Sequence, residues 1–109
     1  MIWHGATATY QGVMLSDLLA RVGAPQGEAL RGRELADVVI ITASDGYRVV
    51  LGLGEAERSF RVERIVLADQ EAGHPLTGND GSLRLVIEGD LRPARCARQV
   101  QRIEWRHLD

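Results

Sequence analysis

A chain of 109 residues and 12.0 kDa has room for one hydrophobic core and is too short for two domains of ordinary size. Its 45% hydrophobic and 26% charged content is that of a globular protein, which excludes extended disorder, and no stretch approaches the roughly 18 consecutive apolar residues of a membrane span. The formal net charge of -2 gives no general attraction to nucleic acid or anionic lipid, so neither is expected as a partner. All 13 basic residues are arginine, a bias that genomic base composition explains as well as selection does. The single cysteine, Cys96, cannot form an intrachain disulfide, so stability must come from packing. The opening Met-Ile-Trp-His-Gly lacks the basic segment and apolar run of a secretory leader. On that basis the chain is cytoplasmic, or periplasmic with its leader removed.

Residues 1–14 combine Thr7, Thr9, Tyr10 and Val13 around Gly12, a composition that predicts one or two short strands. Ser16 then stands as a helix N-cap with Asp17 in the first turn, Leu15, Leu18, Leu19 and Val22 share one helical face, and Gly23 with Pro25 closes the segment. Residues 24–33 mix glycine, proline and charge without period, as a surface loop does. The β-branched run Val38, Val39, Ile40, Ile41 ends at Ser44-Asp45-Gly46, and a strand pattern resumes over 47–53, which predicts an antiparallel hairpin with Asp45 and Gly46 at its tip. Residues 54–64 read as a helix or an exposed turn and 65–68 as a short apolar strand. Residues 83–87 form a buried strand, Gly89-Asp90 a turn, the stretch through Pro93 a loop, and residues 100–105 a last strand. Strands dominate, so the predicted class is α+β, mostly β, with a mixed or antiparallel sheet and a few short helices.

The residues carry few chemical motifs. None of the serines sits in the Gly-x-Ser-x-Gly elbow of a hydrolase, Gly52-Leu53-Gly54 lacks the third glycine of a dinucleotide loop, and His4, His74 and His107 lack the spacing of a metal pair. Charge distribution says more. Residues 84–109 hold six arginines against four acids, whereas residues 1–83 hold seven against eleven. Because a guanidinium grips a phosphate or carboxylate through two parallel hydrogen bonds, Arg92, Arg95 and Arg98 are candidates for a small anion pocket. A solvated, salt-bridged face is the competing reading. Few aromatics accompany these arginines to stack bases, which again argues against nucleic acid.

Five segments occur in an order and spacing that resemble the molybdopterin-binding domain of the sulfite oxidase family: Tyr10-Gln11-Gly12-Val13-Met14-Leu15-Ser16-Asp17-Leu18-Leu19, Ala43-Ser44-Asp45-Gly46-Tyr47, Gly73-His74-Pro75-Leu76, Leu83-Arg84-Leu85-Val86-Ile87 with Gly89-Asp90, and residues 95–103. The resemblance covers nearly the whole chain and implies a mostly β fold around a central sheet. It also implies one domain over residues 1–109, shorter at its N-terminus than the catalytic members. Four departures bear on function. The segment that carries the molybdenum-ligating cysteine in catalytic members has no counterpart here, and Cys96 is not at its position. Asp80-Gly81 stands where those members have His-Gly, and Glu88 where they have proline. In the last segment Arg95, Cys96, Ala97, Arg98 and Gln99 keep the basic residues and lose the tryptophan.

The resemblance therefore implies a non-catalytic module that binds molybdopterin, another pterin or a protein partner, with molybdenum itself not expected. The implied cofactor-binding residues are Asp45, His74, Arg92, Arg95 and Arg98. Small relatives of this type are commonly exported, which favours the periplasm. Two alternatives stand beside this reading: a molybdenum-cofactor-dependent oxidoreductase or its subunit, and an assembly subunit using exposed sheet edges with Trp3 or Trp105.

Overall fold

The computed structural model describes every residue except Met1, His4, Gly5, Ala8, Arg58, Arg61, Asn79, Asp80 and Asp109, together with the side chains of all but four of those described, Ile2, Trp3, Ala6 and Thr7. The expectations attached to the Trp3 side chain, His4 and Asp80 lie outside the described residues.

Three short strands open the chain: β1 (Ile2–Trp3) and β2 (Ala6–Thr7) pair as an antiparallel ribbon, and β3 (Tyr10–Met14) leads into helix α1 (Leu15–Arg21). The helix forms because Leu15 and Leu19 fall on one face and bury completely or nearly so. It ends where Gly23 takes φ +86, a conformation that glycine reaches without the Cβ penalty. Its start differs from the sequence expectation. The cap position is Met14, with no side-chain cap, and Ser16 lies inside the first turn at 2% exposure. Leu15 is drawn inward by the core, which moves the cap two residues back, from Ser16 to Met14.

The hairpin expected over 38–53 is present as β4 (Val38–Ala43) and β5 (Arg48–Gly52). The apolar run in β4 buries one face only: Val39, Ile41 and Ala43 are inside, whereas Val38, Ile40 and Thr42 are half-buried. β9 (Val100–Arg106) pairs with the other side of β4, giving a three-stranded sheet in the order β5-β4-β9.

The second sheet is centred on β6 (Ile65–Glu71). β3 pairs along one side of it, and β7 (His74–Pro75) and β8 (Arg84–Ile87) pair with its other side. The pairing of β3 with β6 carries a bulge at Gln11/Gly12, where the strands come so close that a Cβ on Gly12 would run into the Leu67 carbonyl oxygen. Every strand pairing among the described residues is antiparallel. The fold is thus α+β and mostly strand, with one α-helix among the described residues. The 24–33 loop contains a 3-10 turn at Gly27–Ala29 and runs into another at Gly32–Ala36, and the 54–64 segment begins as a third, Leu53–Ala56.

β8 joins the two sheets. All four of its residues are buried, and beyond its pairing with β6 the Leu85 N–H donates to the Ala97 carbonyl while the Leu83 carbonyl accepts from the Val100 N–H. One continuous core results, with Leu15 and Leu19 from the helix, Val39, Ile41, Val49 and Leu51 from one sheet, and Ile65, Leu67, Leu85 and Ile87 from the other. Each fully buried leucine or isoleucine contributes about 2 kcal/mol of apolar burial. The loop after β8 is thereby held against the β4–β5 turn.

Candidate functional site

The β4–β5 turn is built by its own side chains. Asp45 Oδ1 accepts the Tyr47 backbone N–H at 3.0 Å, Gly46 adopts φ +88, and the Gly46 N–H closes on the Ala43 carbonyl at 3.0 Å. Tertiary bonds then fix the turn. The Tyr47 hydroxyl donates to the Ala94 carbonyl at 2.5 Å, the Ser44 N–H donates to the Gln99 carbonyl at 2.9 Å, and the Ser44 hydroxyl donates to Gln99 Oε1 at 2.5 Å. Between this turn and the 93–98 segment lies a cleft of about 340 Å³, lined by Asp45, Tyr47, Arg84, Cys96 and Arg98 with Pro93, Ala94 and Ala97.

Arg84 gives the cleft its character. It opens the buried strand β8 and is only 4% exposed, with Nη1 donating to the Tyr10 hydroxyl at 3.1 Å and its guanidinium 5.7 Å from the Tyr10 ring centroid. A guanidinium taken this far out of water needs such partners to hold it in place. Cys96 stands at the same wall with 5% exposure, its Sγ accepting the Ile87 N–H at 3.4 Å. Burial pushes its thiol above the usual value, against the opposing pull of the Ile87 hydrogen bond and the Arg84 charge. A buried thiol with a raised pKa is a poor nucleophile. The cleft's other groups, a buried cation, a second arginine, a carboxylate and an aromatic ring, suit a planar organic anion.

The structure brings Asp45 and Arg98 together at this cleft and places the other three expected residues elsewhere. Arg95 is clamped by carboxylates: Nε and Nη2 donate to Asp90 at 3.0 and 2.8 Å, and Nη1 donates to Glu55 at 2.8 Å. Those two partners, Asp90 first, push its already high pKa further up. It ties the Pro93–Arg95 turn to the Leu53–Ala56 turn, the salt-bridged role that the sequence left open for this arginine group. Arg92 is exposed and lines a separate shallow depression with Leu91 and Arg95. His74 is exposed on β7, in register with Glu71, and does not line the cleft. Arg84 and Cys96 also line the cleft and lie outside the set of site residues that the sequence implies. The signal for Arg84 is present nonetheless, since a charged side chain interrupting the apolar run 83–87 must be held by something specific.

A larger cleft of about 530 Å³ is lined by Met14, Phe60, Val62 and Ile65 with several charged groups. Two of those groups already serve the fold. Buried Glu57 accepts the Gly27 N–H at 2.6 Å and the Ser59 N–H at 3.3 Å, and Arg64 is ion-paired with Glu88 at 3.2 Å. Asp45, Tyr47 and Arg84 of the smaller cleft serve the fold as well, and it is preferred because two arginines, a carboxylate and an aromatic ring line it together. No family model, curated protein or solved structure matches this chain significantly.

Proposed function

We propose that the cleft between the β4–β5 turn and the 93–98 segment binds a small anionic ligand with a planar ring, of the pterin kind, and that the protein recognises this ligand without making or breaking bonds in it. The observation that carries this reading is the convergence of Arg84 and Arg98 with Asp45 and the half-exposed Tyr47 ring on one cleft. The Asp45 carboxylate suits the amino and ring N–H donors of a pterin, the Tyr47 ring offers a stacking face, and the two guanidiniums suit a phosphate on its side chain. A cleft of about 340 Å³ is at the small end for ligand pockets, which favours a compact ligand. The resemblance to the sulfite oxidase molybdopterin domain supports the same ligand class through the residues quoted for it, two of which, Asp45 and Arg98, meet here.

The test is denaturing release and mass spectrometry of small molecules, with elemental analysis for molybdenum, on protein purified from a host that makes the molybdenum cofactor. Pterin without molybdenum is the expected result, and Arg98→Ala is expected to lose it while keeping the wild-type circular dichroism spectrum. Pterin with stoichiometric molybdenum would replace this reading with that of an oxidoreductase or its subunit, and the absence of any pterin would refute it.

A further inference from the structure

The outer edge of β9 has the properties of an interface with a second copy of this chain. Among the described residues β9 pairs with β4 alone. Which of its backbone groups face outward follows from the ladder. The Ala43 N–H donates to the Tyr47 carbonyl on the β5 side, so Val39, Ile41 and Ala43 turn their backbone groups toward β5, and Val38, Ile40 and Thr42 turn theirs toward β9. Their partners in register, Arg106, Glu104 and Arg102, therefore bond inward to β4, while Ile103 and Trp105 direct N–H and C=O groups away from the sheet. At the Val100 end the edge is closed by the Leu83 carbonyl, which leaves 101–106 as the open run. The opposite edge of this sheet, on β5, is partly blocked because the Gly52 N–H already donates to Glu55 Oε2 at 3.0 Å.

Side-chain charge selects the occupant and the register. Arg102, Glu104 and Arg106 share the outward face of the sheet, and Glu104 is held there by ion pairs to Arg102 at 3.3 Å and Arg106 at 3.2 Å. We infer that two copies of the chain pair antiparallel through their β9 edges about a two-fold axis at Ile103, forming one six-stranded sheet. At this register Ile103 faces its own copy in a hydrogen-bonded pair. Each Arg102 then faces Glu104 of the partner subunit in a close, non-hydrogen-bonded pair, which makes the charge pattern self-complementary twice over. A two-residue slip in either direction, which moves the axis by one residue, sets Glu104 against Glu104 or Arg102 against Arg102, and a one-residue slip puts the two charge rows on opposite faces. An axis at Trp105 would oppose Glu104 to Arg106 but would overlap less of the strand.

The full chain is to be examined by sedimentation equilibrium from low micromolar to submillimolar concentration, with hydrogen exchange at both ends of that range. The expected result is a monomer–dimer equilibrium in which the Ile103 and Trp105 amides exchange slowly only where dimer is populated. Glu104→Arg opposes arginine to arginine at both symmetric contacts and is expected to weaken dimerisation by roughly tenfold or more. The double variant Arg102→Glu/Glu104→Arg restores it, and Arg106→Glu/Glu104→Arg does not. A wild-type monomer throughout the range would overturn the inference, as would a dimer indifferent to Glu104→Arg or one rescued through Arg106 in place of Arg102. Because the wild-type mass and its amide protection are read without any substitution, misfolding of a variant leaves the inference open to refutation.

Discussion

Replacing Ser16 with alanine is expected to stabilise the protein, and the sign of the effect separates two accounts of the α1 N-terminus. A serine at a helix N-cap accepts a backbone N–H through its hydroxyl, and removing it costs about 1 kcal/mol. In this structure Ser16 is one residue inside the helix and 2% exposed, and its Oγ is buried without a hydrogen-bond partner among the described residues. A hydroxyl withdrawn from water and left unbonded costs about 1–3 kcal/mol. Deleting it recovers that cost less the contacts of one small atom, and alanine is a better helix former than serine by up to about 0.5 kcal/mol. The backbone carbonyl of Ser16, which accepts from Gln26 Nε2 at 2.8 Å, is untouched by the change. The net expectation is a gain of about 1 kcal/mol, or a rise of about 4 °C in Tm for a domain of this size. Urea unfolding followed by far-ultraviolet circular dichroism and by tryptophan fluorescence measures it. A loss of about 1 kcal/mol, with reduced helical signal, would refute the burial argument and restore Ser16 as the cap.

Gly12→Ala is expected to destabilise by about 2 kcal/mol or more, because the new Cβ would meet the Leu67 carbonyl oxygen and the Ala68 Cα, backbone atoms that cannot turn aside. A lowered urea midpoint with unchanged m-value would confirm it, and a wild-type midpoint would show that the bulge adapts. Cys96 is expected to react with a disulfide reagent far more slowly than a free thiol at pH 8, and to approach that rate once the protein is unfolded in urea. Its folded pKa lies above the unfolded one, so the folded state holds the proton more tightly. The associated stability is complete below the unfolded thiol value and is lost as pH rises through the folded value. Cys96→Ala should flatten that alkaline limb in a pH series of urea midpoints, and an unaltered limb would assign it to other groups.

Local pattern made much of the secondary structure legible. The β-branched run ending in Asp45-Gly46 specified the hairpin, because Gly46 supplies a conformation that few residues reach and Asp45 bonds its own turn. The leucine spacing specified α1 but not its first residue, since the start depends on how strongly the core draws in Leu15. The candidate site was less legible. Arg92, Arg95 and Arg98 are close in sequence, yet the 3-10 turn at Pro93–Arg95 sends them in different directions, and the acids that claim Arg95 include Glu55, forty residues away. Arg84, the most buried charge at the cleft, reaches it from another strand.

By itself the sequence determined what depends on neighbouring residues: an α+β class with more strands than helices, the turn at Asp45-Gly46, and an excess of arginine toward the C-terminus. Only the tertiary structure decided which of those arginines line the cleft, that Arg95 is clamped by Asp90 and Glu55, that Asp45 and Arg98 line one cleft across 53 positions of chain, and which edge of a sheet is left open. The physical reason is one of range. Backbone preference and side-chain period act over a few residues, whereas ion pairing, burial of a charge and strand order follow from which distant segments the common core brings together.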